Sequence, residues 1–174
     1  MPGLFIFLLL FVAGFCELAV GNLGLFAPLL AVAVFYAGNA FRWEQVLPLA
    51  VIVIAAHEAF LARQFAPGIV LLAPTIAAAR LWTRHGNREA LPLQALPGAA
   101  VGLVWGIGVT AAESLRDGAL AAMPWRHHLW LLLQAALAGA LALPLICAVC
   151  DRLARKAFLP RYARAAAKFG MRTE

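Results

Sequence analysis

Leu4-Phe5-Ile6-Phe7-Leu8-Leu9-Leu10-Phe11-Val12-Ala13-Gly14-Phe15-Cys16-Glu17-Leu18-Ala19-Val20 is an apolar run broken by one carboxylate. A helix needs about 20 mostly apolar residues to cross a hydrocarbon core of about 30 Å, so this stretch predicts a membrane span. Met1-Pro2-Gly3 lacks the basic side chains that open a secretory signal, and the run reads as a retained span.

The pattern repeats along the chain. Further apolar runs cover Leu25–Ala40, Gln45–Phe65, Ile69–Trp82, about Leu93–Leu115 and Leu129–Val149, separated by Gly21-Asn22-Leu23-Gly24, Phe41-Arg42-Trp43-Glu44, Ala66-Pro67-Gly68, Thr83–Glu89 and Arg116–His128. Of 174 residues, 64% are hydrophobic and 13% charged, with a mean hydropathy of +0.88; soluble domains carry roughly 25% charged residues. The expectation is an all-α polytopic membrane protein, a six-helix transmembrane domain over 1–150 followed by a basic tail over 151–174. Too little chain remains for a soluble catalytic or nucleotide-binding unit, which needs about 50 residues.

The formal net charge of +6 is not spread evenly. Arg152, Arg155, Lys156, Arg161, Arg164, Lys168 and Arg172 follow the last apolar run. No recognition motif or aromatic platform accompanies them, which argues against nucleic acid and for anionic lipid headgroups. With six spans, only Arg63, Arg116 and Arg126 fall on the side opposite the termini, so the positive-inside rule puts both termini in the cytoplasm. If Arg161–Phe169 is helical, Arg161, Arg164 and Lys168 share one face and Tyr162, Ala165, Ala166 and Phe169 the other, as in a helix lying on the inner leaflet. A solvated basic tail is the competing reading.

Ionisable groups at membrane depth are costly and face protein or water. The intramembrane polar candidates are Glu17, His57, Glu58, Glu113 and Gln134. His57 and Glu58 are chain neighbours, about 100° apart on a helix, so each must find its partner elsewhere. Glu58 suits either an internal polar or proton-linked site or a buried carboxyl hydrogen-bonded between helices. Catalysis and metal binding find little support. The second histidine of a His-Glu-x-x-His site is replaced by Leu61-Ala62, Ser114 is the only serine, and Cys147-x-x-Cys150 and His127-His128 are too few ligands alone. No enzyme activity, cofactor or metal is therefore expected. Gly98, Gly102 and Gly106 recur every fourth residue, a spacing that lets another helix approach; with Gly139 they are the candidate packing or partner-binding positions.

Three segments together resemble the MreD family, the rod-shape-determining proteins of the bacterial inner membrane. Phe26-Ala27-Pro28-Leu29-Leu30 resembles the family's Pro-Asp-Leu-Leu helix entry, with Leu29 in the place of Asp. Leu47–Gly68 resembles the family's apolar helix that runs into an acidic residue and a Pro-Leu-Gly-like break, with Glu58 where Asp is usual and Pro67-Gly68 lacking the Leu. Leu131–Arg155, with Pro144-Leu145 and Asp151-Arg152-Leu153, resembles the last helix and its basic exit. The resemblance implies a non-enzymatic scaffold of the elongation machinery, bound to an MreC-like single-span protein and to peptidoglycan synthases. It also implies a fold similar to the substrate-binding subunits of energy-coupling-factor (ECF) vitamin transporters, which supplies the alternative of a small-molecule-binding subunit.

Overall fold

A computed structural model of the chain describes residues 2–61, 67–86, 91–117 and 125–162. Among these the ordered elements are helices α1 (Pro2–Gly21), α2 (Leu29–Ala40), α3 (Trp43–Phe60), α4 (Pro67–His85), α5 (Ala95–Asp117) and α6 (Trp125–Lys156), with a 3-10 turn, Leu91–Gln94, leading into α5. The fold is all-helical. Among the described residues, four segments are long and apolar enough to cross a membrane: α1, α3, Pro92–Ala112 and α6.

α2 departs from the expected span. The run Leu25–Ala40 becomes helical only at Leu29, because Pro28 at the N-cap has no amide hydrogen and disfavours helical backbone before it. Gly24, at φ 75, and the Gly24 amide on the Gly21 carbonyl make the tight turn from α1. At about 1.5 Å per residue the remaining 12 residues reach about 18 Å, short of a full crossing. A helix apolar all round belongs inside a bundle. Leu30, Ala31, Val32, Ala33, Val34, Phe35, Tyr36 and Ala37 are all buried, and α2 touches each of the other five helices.

Other boundaries follow local chemistry. α3 ends at Phe60, and residues 62–66, the rest of the expected run to Phe65 with Ala66, lie outside the described residues; Pro67, expected to be part of a break, is itself the first residue of α4, a position where its missing donor costs nothing. α4 then runs beyond Trp82 to His85. α3, α4 and α6 contain Pro48, Pro74 and Pro144 without ending there, as membrane helices tolerate. α6 extends from Trp125 to Lys156, past both ends of the apolar run.

The chain is helical across the expected 150/151 boundary. α6 passes through it, and Tyr162 beyond the helix is buried in the bundle. Residues 161 and 162 are not helical, so the tail helix expected from Arg161 does not begin there; Arg164 and Lys168 lie outside the described residues.

The broadest helix contact joins α5 and α6. A Cβ built on Gly98 would strike the Gly139 carbonyl, one on Gly102 the Ala135 carbonyl, and one on Gly139 the Gly98 carbonyl. Gly106 is looser, its Cβ falling 3.0 Å from that of Ala135. All four glycines thus face a helix of their own chain, where backbone-to-backbone approach gains dispersion contact that lipid cannot supply.

Candidate functional site

A central helix that ends inside an apolar bundle leaves backbone donors without water, and each needs a side-chain partner. The buried polar residues meet this need at the end where α1 and α3 finish and α2 and α4 begin. Glu17, near the end of α1, accepts the Leu30 amide through Oε2 at 2.8 Å. Gln134 of α6 accepts the Phe26 amide through Oε1 at 3.1 Å. Glu58, near the end of α3, accepts the Gly68 amide of α4 through Oε1 at 3.1 Å. A carboxylate at a helix N-terminus also meets the positive end of the helix dipole.

His57 joins this group from the neighbouring face of α3. Its Nε2 lies 3.9 Å from Glu17 Oε1, and its ring edge lies against the Cα side of Gly14, where a Cβ would sit 3.6 Å from Cδ2. Both His57 and Glu58 are buried. Their partners come from different helices, as adjacent positions on one helix require. Gly68 matters for the same geometry: a Cβ there would lie 2.8 Å from Glu58 Oε1 and 2.7 Å from Ile54 Cγ2. The structure thus pairs Glu17 with His57 between α1 and α3, while Glu58 and Gln134 each meet a backbone amide of another segment. Glu113 lies on α5, and its side chain is outside the described residues.

A second polar cluster closes the opposite end of α2, and sequence reading passed over it. Tyr36 donates its hydroxyl to Asp151 Oδ1 at 2.8 Å, and the same carboxylate oxygen accepts the Tyr162 amide at 2.9 Å. Tyr162 stacks on Tyr36 with centroids 5.7 Å apart and donates its hydroxyl to Gln94 Oε1. Nearby, Thr83 of α4 donates to Asn39 Oδ1 at 2.9 Å, while Asn39 Nδ2 donates to the Phe35 carbonyl. A usable signal existed in Asp151, the lone acid in a basic exit, and in Gln94, polar at the mouth of an apolar helix.

Cys147 and Cys150 are buried thiols on α6, and Cys16 is exposed. His127 and His128 stack edge to face at 6.4 Å. Arg152, Arg155 and Lys156 are exposed on the last turns of α6. No group of three or more His, Cys, Asp or Glu side chains able to hold a metal occurs among the described residues. What the site can do chemically is accept hydrogen bonds from backbone amides beside helix starts. No family model, curated protein or solved structure matches this chain.

Proposed function

We propose that this chain is a non-enzymatic membrane scaffold of the bacterial cell-elongation machinery, with six helices in the inner membrane, both termini cytoplasmic, and an MreC-like single-span protein as its partner. The observation that carries this reading is the use of two carboxyl groups, half-buried Glu17 and buried Glu58: each closes a helix start in its own chain, which is work for a rigid frame. The Pro28 entry is consistent with it. Where the MreD-like motif would hold an Asp beside the proline, Glu17 reaches the same turn from α1. The exposed apolar faces, Phe7, Phe11 and Phe15 on α1 and Leu133, Leu137 and Leu141 on α6, offer a single-span helix a surface beside lipid.

The test is co-purification in mild detergent with an MreC-like protein and its peptidoglycan synthases. Retention by the wild type and loss in a Phe7→Ala, Phe11→Ala, Phe15→Ala variant that still folds is the expected result. Failure of the wild type to retain any elongation protein overturns the reading.

The Glu17–His57 approach favours one alternative, a substrate-binding subunit for a vitamin-type solute, because it brings two polar side chains together between α1 and α3. A metabolite that raises the melting temperature of the wild type, and not of Glu58→Gln, would move the assignment there. Cysteine labelling from outside intact cells tests the orientation, and a reactive carboxyl terminus would reverse it.

A further inference from the structure

α6 ends in a turn whose central side chain is at odds with its backbone. The Leu159 amide bonds back to the Ala154 carbonyl at 2.9 Å and the Phe158 amide to the Arg155 carbonyl at 3.4 Å, the paired bonds of a Schellman helix end. The left-handed residue of that motif is usually glycine. Here it is Phe158, at φ 55, and its side chain is 98% exposed. A bulky apolar group thus stands in a conformation that L residues avoid, with its side chain left uncovered by the described residues.

Its surroundings indicate what covers it. Leu133, Leu137, Leu141, Leu145, Val149 and Leu153 make an exposed apolar ladder along α6 that stops just before the turn. Arg152, Arg155 and Lys156 ring the same helix end, and the one acid there, Asp151, is engaged with Tyr36 and Tyr162. Beyond the turn Leu159 packs on the core and Tyr162 is buried, so the chain doubles back and keeps Phe158 level with the helix end.

We propose that Phe158, with Arg152, Arg155 and Lys156, forms an anchor that inserts into an anionic phospholipid leaflet: the ring enters the headgroup boundary and the cations take the lipid phosphates. The inference rests on reading α6 as a membrane span. It assigns the leaflet interaction to this turn, independently of the basic residues that follow it.

Two measurements on the full chain test it. A solvatochromic dye is placed on Phe158→Cys in a Cys16→Ser background, and the protein is put into nanodiscs of phosphatidylcholine alone or with phosphatidylglycerol. The expected result is a blue shift and protection from aqueous iodide with phosphatidylglycerol, reversed in about 1 M salt, where screening lengths fall to about 3 Å. Equal quenching in both lipids, or protection that appears only on adding a soluble acidic peptide, overturns the proposal. Phe158→Gly suits the backbone better, so its melting temperature should hold or rise while retained phosphatidylglycerol falls roughly three- to tenfold, as for withdrawing part of one Phe from the bilayer. Unchanged retention overturns the proposal. A chain that fails to enter nanodiscs of either lipid would instead count against the membrane-span reading.

Discussion

The Glu17 carboxylate lies 2.8 Å from the Leu30 amide, so the end of α1 closes the first turn of α2. Pro28 contributes no side-chain cap to α2, and Glu17 supplies that acceptor from a neighbouring helix. Helix caps contribute about 0.5–2 kcal/mol, and an unsatisfied buried donor costs about 1–3 kcal/mol. Glu17→Leu should therefore lower stability in detergent by about 1–3 kcal/mol, while Glu17→Gln, which keeps an acceptor oxygen, should lose less. Thermal melts of the two variants check this, and a Glu17→Leu protein as stable as the wild type would remove the cap from the account.

The α5–α6 contact predicts a graded response to added methyl groups. At Gly98, Gly102 and Gly139 a Cβ meets a facing carbonyl, which moves only if a helix moves, whereas at Gly106 it meets the Ala135 methyl at 3.0 Å. Overpacking typically costs about 1–3 kcal/mol. Gly102→Ala should fall in that range and Gly106→Ala below it. Equal melting temperatures for the two would show that the helices separate freely.

Gly68 and Glu58 should be coupled. Gly68→Ala pushes against both the Glu58 carboxylate and Ile54, so part of its cost should vanish once the carboxylate is gone. In a double-mutant cycle, Gly68→Ala in a Glu58→Ala background should cost about 0.5 kcal/mol or more less than in the wild type. Strict additivity would mean that Ile54 and Trp105 set the requirement for glycine without Glu58.

Asp151 and Tyr162 hold the segment after α6 against the bundle. Asp151→Ala withdraws the acceptor shared by Tyr36 and the Tyr162 amide. Trypsin should then cut after Arg155, Lys156 or Arg161 faster than in the wild type, with α1 to α5 still intact. An unchanged cleavage rate would show that stacking on Tyr36 suffices to hold the strap.

Local chemistry reads well along a chain, because the residues that decide it are a few positions apart. Apolar runs of helical length indicated helices in the right order, and glycines four apart marked one face of α5; Pro28, read as lying inside a run, and Pro67, read as part of a break, both stand at helix starts instead. Leu4–Val20 already had the length and apolarity that a membrane span needs. The need of His57 and Glu58 for partners from elsewhere was equally legible, since neighbours on one helix diverge by about 100°.

The partners themselves were not. Gln134 meets the Phe26 amide across 108 positions and Asp151 meets Tyr36 across 115, and nothing local to either residue encodes the pairing. The sequence by itself determined an all-helical, lipid-type chain and the small-residue face of α5. Only the tertiary structure decided that the short α2 lies at the centre, that Glu17 and Gln134 satisfy the backbone at its start, and that Tyr162 returns to stack on Tyr36. The reason is that apolarity and backbone preference act within a turn or two, whereas a buried donor takes whichever acceptor the packing of distant helices brings within 3 Å or so.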